Sequence, residues 1–216
     1  MNRPEITKEK IVPLLDKKFV RVADIQYEEG KHYFVSSRRN FEDLTALKSD
    51  GEFKQMRADA VTCFLVVKTP DEEPRLYLQY EYRYPVGRFL LSPPAGLIDA
   101  DDGDGEDALI ATARREIFEE TGIRLKPEDL VEVVSPLSFS TPGMTDESNA
   151  LVLAVAELPG EDALSQDGAE GSECFDGYEL VGKDEAAELL RTGRDKYGNF
   201  YSIFTWAALM YFCSRF

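Results

Sequence analysis

Apolar residues fill nearly every position of Ala60–Lys68 (AVTCFLVVK), the pattern of a strand buried on both faces. A second strand is predicted at Arg75–Tyr80 (RLYLQY), after the polar turn Thr69-Pro70-Asp71-Glu72-Glu73-Pro74. Upstream, Phe19–Tyr27 and His32–Ser37 alternate apolar and polar residues around Glu28-Glu29-Gly30-Lys31, which predicts a β-hairpin. The period changes between Asp107 and Thr121. There Leu109, Ala113 and Ile117 recur every four residues and form the core face of a helix. Asp107 suits the start of that helix, and Gly122 suits the left-handed position just past its end. Leu130–Val134, Ala150–Val155 and the apolar Tyr178–Val181 are further strand segments. Pro159–Gly171 is acidic and glycine-containing, the composition of a loop. Lys183–Thr192 and the strongly apolar Tyr201–Phe216 are expected helices. Strands and helices in this order predict an α/β fold, an α/β/α sandwich on a mixed sheet. The main domain is expected over residues 58–216, behind a small β-rich segment of residues 1–57.

Composition narrows the field. A chain of 216 residues is long enough for a substantial core. Its 41 acidic residues against 25 basic ones leave a formal charge of −16, which excludes general affinity for nucleic-acid backbones. A polyanionic substrate would also be repelled unless bound cations reverse the local field. Cys63, Cys174 and Cys213 lack paired spacing and read as reduced thiols, and His32 is the single histidine. Neither a signal-type apolar start nor a membrane-length apolar run is present, so the expected location is cytoplasmic, without membrane association.

Residues 115–123, Arg-Glu-Ile-Phe-Glu-Glu-Thr-Gly-Ile, carry the chemistry. Glu116 lies three and four residues from Glu119 and Glu120, so a helix places all three carboxylates together. Like charges repel, and a helix C-terminus disfavours anions further. A bound cation removes both costs. Hard oxygen donors without Cys or His point to Mg²⁺, with Mn²⁺ as the alternative.

This nonapeptide resembles the core of the Nudix box: Gly, five residues, Glu, seven residues, then Arg-Glu-apolar-x-Glu-Glu-x-Gly-apolar. Pro94-Ala95-Gly96-Leu97-Ile98-Asp99 resembles the lead-in of the family's ADP-ribose pyrophosphatase branch. The resemblance implies that Glu116, Glu119 and Glu120 are metal ligands, with Glu116 and Glu120 central to catalysis. It makes the Ala95 carbonyl a further ligand, and Arg115 the residue that orients the glutamates. Tyr82-Arg83-Tyr84-Pro85 is similar to a branch segment whose arginine contacts substrate phosphate, with Glu81 here in place of glutamine. Thr141-Pro142-Gly143 resembles a loop that follows the box and makes Glu147 a candidate substrate or metal contact. The catalytic base is implied to be a glutamate on the loop before the last strand, Glu170 or Glu173, with Glu173 the choice.

Departures from the pattern are equally specific. Eighteen residues separate Gly96 from Arg115 instead of 13, and the acidic Ala100–Gly105 reads as the insertion. Counting back eight from Arg115 gives Asp107 at the first acidic position, with Glu106 beside it. Ser92 stands where the branch commonly has Glu. A calcium loop fails because Gly103 and Ile110 occupy ligand positions.

The resemblance implies Mg²⁺-dependent hydrolysis of a diphosphate that links a nucleoside to a second group. ADP-ribose, cleaved to AMP and ribose 5-phosphate, is the best single substrate. The alternatives are another nucleotide sugar, or a non-catalytic nucleotide-binding module. Isopentenyl diphosphate isomerisation, supported by several histidines in relatives, does not suit a chain with one. The β-rich N-terminal segment resembles the portion exchanged between subunits in this branch, which implies a homodimer.

Overall fold

The computed structural model describes residues 3–70, 72–160, 163–166 and 173–216, with the backbone alone for Ala100. The chain divides into two compact units, one of Met1–Ala58 with Leu137–Asn149, the other of Asp59–Pro136 with Ala150–Phe216.

The first unit is built on a three-stranded antiparallel sheet of β1 (Ile11–Asp16), β2 (Arg21–Glu28) and β3 (Lys31–Ser37). Strands β2 and β3 are the expected hairpin. β1 lacks a clean alternation and carries Pro13, which an edge strand tolerates because one side of its backbone needs no ladder partner. The register shifts between Pro13 and Leu15. A short helix, α1 (Asp50–Phe53), follows, with Ser49 and Glu52 forming a reciprocal capping box. Residues 141–147 bind this unit closely. Ser36 pairs with Thr145, and the Tyr33 hydroxyl donates to the Gly143 carbonyl at 2.8 Å. Arg38 reaches Glu147 at 2.6 Å, and the Thr45 N–H donates to Asp146 at 2.9 Å.

A second sheet has seven strands. Its strands are β4 (Ala60–Lys68), β5 (Arg75–Arg83), β6 (Arg88–Ser92), β7 (Ala95–Leu97), β8 (Leu130–Phe139), β9 (Ser148–Glu157) and β10 (Phe175–Val181). The main order is β10-β5-β4-β9-β8, with β6 on β5 and β7 on β4. β4 is buried at eight successive positions because both faces are covered. On one face Cys63 touches α2 (Gly105–Thr121), its Sγ 3.9 Å from the Ala113 carbonyl. On the other, Phe64 and Val66 join Leu76, Leu78 and Tyr80 of β5. They pack against Ala186 of α3 (Lys183–Thr192) and Ala208, Leu209 and Phe212 of α4 (Ile203–Arg215). The alternation of β5 therefore turns Tyr77, Gln79 and Glu81 toward α2. This is the expected layered α/β architecture.

Helix α2 departs from expectation at its start. Asp104 occupies the N-cap, and Asp107 sits exposed in the first turn. The helix begins earlier because Gly105 and Glu106 continue it backward, and an acidic first turn suits the helix dipole. Its end is as expected: Gly122 has φ 73° and donates to the Phe118 carbonyl at 2.9 Å. Leu109, Ala113 and Ile117 are all buried.

Candidate active site

Helix α2 buries two parallel rows. One is the apolar row of Leu109, Ala113 and Ile117. The adjacent row, Ala108, Thr112, Glu116 and Glu120, is equally buried but ends in two carboxylates. Glu120 is only 2 % exposed and Glu116 5 %. Glu119, one position round the helix, keeps about a third of its side chain in solvent.

Glu120 has no cationic partner in direct contact among the described residues. Its Oε2 accepts from the Gln79 side-chain amide at 2.8 Å and from the Ala95 backbone N–H at 3.1 Å. The Cys63 N–H donates to the Pro94 carbonyl at 2.8 Å. In the antiparallel ladder the next residue, Ala95, therefore turns its N–H and carbonyl away from β4, toward the Glu120 side. Gly96 comes so close to α2 that a Cβ added there would lie 1.9 Å from the Glu116 carboxylate.

Arg115 gathers the surrounding acids. Its Nη1 donates to Glu116 at 2.7 Å and Glu119 at 3.0 Å, while Nη2 donates to the Leu97 carbonyl at 3.0 Å and Asp102 at 3.3 Å. Asp102 also accepts from the Thr112 hydroxyl and the Asp99 N–H, each at 2.9 Å. The acidic insertion is thus docked on α2 through Asp102. Asp102 is the sixth residue after Gly96, the spacing of the family's first acidic position. The additional residues follow Asp102, and Asp107 does not take its place. Counting forward from Gly96 would have found it.

The electrostatics follow from burial. Burial raises the Glu116 carboxyl to about 7, with Glu119 and Glu173 adding to the rise and Arg115 opposing it. Glu120 is pushed well above the usual carboxylate range, first by burial and then by Glu81, while the Gln79 hydrogen bond opposes the shift. Glu81, 9 % exposed, is also raised by burial despite its ion pair with Arg83 at 2.5 Å. Burial, then the fields of Glu120 and Glu116, raise the Cys63 thiol and keep it protonated.

The structure therefore gathers Glu116, Glu119, Glu120, Arg115 and Ala95 in one place. Glu173, exposed beside β10, acts electrostatically on Glu81, Glu116 and Glu120. It is brought near because the Tyr82 N–H donates to the Cys174 carbonyl at 2.8 Å. Arg83 joins through Glu81. Glu147 belongs to the other unit and pairs with Arg38. Glu170 lies outside the described residues. Sequence reasoning missed Gln79, which sits in an apolar strand with nothing to mark it.

Among the described residues no three Asp, Glu, His or Cys side chains converge as a ready-made metal cage. Glu116 and Glu119 are drawn to Arg115, and Glu120 to two neutral N–H donors. The donor set nevertheless suits a hard divalent cation. Buried carboxylates outnumber the guanidiniums near them, the partners of Glu120 leave its charge unneutralised, and a Cβ at residue 96 would fill the space beside Glu116.

Comparison with known proteins identifies the family. The chain is 33% identical over 121 residues to "Nudix hydrolase 14, chloroplastic" of Arabidopsis thaliana, covering 53% of this chain and 38% of that protein. It is 35% identical over 101 residues to an "ADP-ribose pyrophosphatase" of Saccharomyces cerevisiae, covering 46% of this chain and 40% of that protein. The chain spans about half the length, or less, of the curated relatives it matches. A crystal structure described as an "ADP compounds hydrolase" shares the fold at a TM-score of 0.55 and 19% identity, covering 93% of this chain and 88% of that one. The model of the NUDIX domain matches residues 56–202, more than half of the chain, which therefore belongs to the Nudix family.

Proposed function

We propose that the chain is a Mg²⁺-dependent hydrolase of a diphosphate joining a nucleoside to a second group, with ADP-ribose cleaved to AMP and ribose 5-phosphate. The observation that carries this reading is the placement of Glu116 and Glu120 on one buried row against Ala95 and Gly96. A relative described as an "ADP-ribose pyrophosphatase" supports the substrate class.

Glu116, Glu119, Glu120 and the Ala95 carbonyl would hold Mg²⁺, or Mn²⁺ in its place. When bound, the ion neutralises charge on the diphosphate oxygens and lowers the pKa of a coordinated water. The chain's own residues do the rest. Arg115 holds Glu116 and Glu119 in register. Arg83 presents a guanidinium to a phosphate oxygen, and Glu173 takes the proton of the attacking water. Water adds to phosphorus as the P–O bond of the diphosphate breaks, leaving one phosphate on each product. Glu147 is a further proposed substrate contact.

The reading extends to a homodimer formed through the N-terminal segment. The three-stranded sheet and its first turn leave Leu14, Leu15, Phe19, Tyr33 and Phe34 exposed, apolar surface whose burial against a second copy supports this reading. No helix among the described residues is long and apolar enough to cross a membrane, and all three cysteines are free. A cytoplasmic location, a small-molecule partner and no nucleic-acid partner fit this reading.

Product analysis after incubation with Mg²⁺ tests it, using ADP-ribose, ADP-glucose, GDP-mannose, NADH and diadenosine polyphosphates. Preferred release of AMP from ADP-ribose is expected, and Glu120→Gln abolishes it while the fold persists. Turnover retained by Glu120→Gln refutes the assignment. Tight ADP-ribose binding without turnover would favour a non-catalytic nucleotide-binding module.

A further inference from the structure

We infer that Gln79 is a positioning residue for Glu120, and that Tyr77 and Gln166 fix the direction of its amide. The inference rests on the proposed function, because it assigns a partner to one of the proposed metal ligands.

Gln79 is fully buried on β5, and the alternation of that strand aims it at α2. An amide has an acceptor end and a donor end, and only the surrounding network decides which faces which way. The Tyr77 hydroxyl donates to Gln79 Oε1 at 3.3 Å, and Gln166 Nε2 donates to the same oxygen at 3.5 Å. Both occupy the acceptor end. The Nε2 end is left to Glu120 Oε2 at 2.8 Å. Tyr77 is itself fully buried and stacked on Tyr178, with ring centroids 5.3 Å apart, so its hydroxyl has little freedom to leave.

The chemical choice of an amide matters. Lysine or arginine at residue 79 would pair with Glu120 and compete with a metal ion for its charge. Glutamate would add another buried negative charge beside Glu81, Glu116 and Glu120. An apolar residue would leave Glu120 with the Ala95 N–H alone. Glutamine orients the carboxylate and leaves its full charge for the cation, the arrangement expected of an outer partner of a metal ligand. Gln166 also reaches this network from the segment that carries Ser165, whose N–H donates to the Thr121 carbonyl at the end of α2 at 2.9 Å. Ser165 and Gln166 thereby join the end of α2 to the partner of Glu120.

Mn²⁺ affinity, measured by calorimetric titration on the full chain, tests the inference together with metal-free thermal melting. Gln79→Met keeps the length and packing of the side chain but removes both hydrogen-bonding ends. It is expected to weaken Mn²⁺ binding about tenfold or more, while the metal-free chain still melts cooperatively, at a temperature lowered by the buried hydrogen bonds it loses. Tyr77→Phe, which releases the amide without emptying the site, is expected to weaken binding in the same direction by less. Wild-type Mn²⁺ affinity in Gln79→Met, or in Tyr77→Phe if Gln79→Met does not fold, overturns the positioning role. A wild-type chain that binds no Mn²⁺ overturns the underlying metal-dependent reading itself.

Discussion

Gly96 and Glu116 are in direct steric contact: a Cβ on residue 96 would lie 1.9 Å from the Glu116 side-chain carboxyl carbon. The three-residue β7 is pinned to β4 by the pairs Ala60–Leu97, Val61–Gly96 and Thr62–Ala95, so its backbone cannot retreat. Glu116 would have to move. Gly96→Ala is therefore expected to lower kcat/KM for ADP-ribose by about 10²-fold, the scale of an ångström-level misplacement. Steady-state kinetics alongside circular dichroism decide it; near-normal turnover with an unchanged spectrum would mean Glu116 is not held there during catalysis.

Metal-free stability should depend on pH through Glu116. Its carboxyl titrates near 7 in the folded chain, above its ordinary value of 4.5. Between those values the unfolded chain has released the proton and the folded chain still holds it. The contribution of Glu116 is fully present below about 4.5 and is lost as pH rises to about 7. The loss is at most about 3 kcal/mol, from 1.36 kcal/mol per pKa unit. Glu116→Gln should remove this part of the slope, so the variant gains on the metal-free wild type as pH increases. Parallel stability profiles would contradict the assignment, and Mg²⁺ should restore the wild type at neutral pH.

Asp102 holds Arg115, Thr112 and the Asp99 backbone together. Asp102→Ala should loosen Arg115 and, through it, Glu116 and Glu119. Mg²⁺ affinity is expected to fall about tenfold. A substitution at the exposed Asp107, such as Asp107→Ala, should leave affinity unchanged. Equal effects at the two positions would show that Asp102 has no special role.

Glu81 holds Arg83 in an ion pair at 2.5 Å. If Arg83 meets substrate phosphate, Arg83→Ala raises KM for ADP-ribose about tenfold with a smaller change in kcat. Glu81→Gln acts in the opposite direction, since it frees the guanidinium and removes a negative charge from the path of the diphosphate. An unchanged KM in both variants would place Arg83 outside the substrate contacts.

Phe212 tests the core. It is 1 % exposed and stacks on Phe216 while packing among residues of β4 and β5. Phe212→Ala should cost about 3–5 kcal/mol, read as a lowered midpoint in urea. A loss below about 1 kcal/mol would mean that α4 contributes little to holding the sheet.

Whatever depends on short-range periodicity and local chemistry was legible in the order of residues. The apolar run of Ala60–Lys68, the fourfold spacing of Leu109, Ala113 and Ile117, and the stop at Gly122 each follow from the geometry of one element. The nonapeptide at residues 115–123 places its carboxylates together because helical spacing alone does so. The remaining features arise from packing between distant segments. β1 and β7 are too short or too irregular to announce themselves, and they form because a neighbouring strand supplies ladder partners. Asp102 and Gln79 have no local signature. Asp102 matters because the chain after β7 folds back onto Thr112 and Arg115, and Gln79 because an adjacent strand turns it toward Glu120. The attachment of residues 137–149 to the N-terminal unit likewise rests on contacts made more than a hundred residues apart in the chain. Periodicity records which face of an element is buried, whereas the partner across that face is chosen only when distant segments pack.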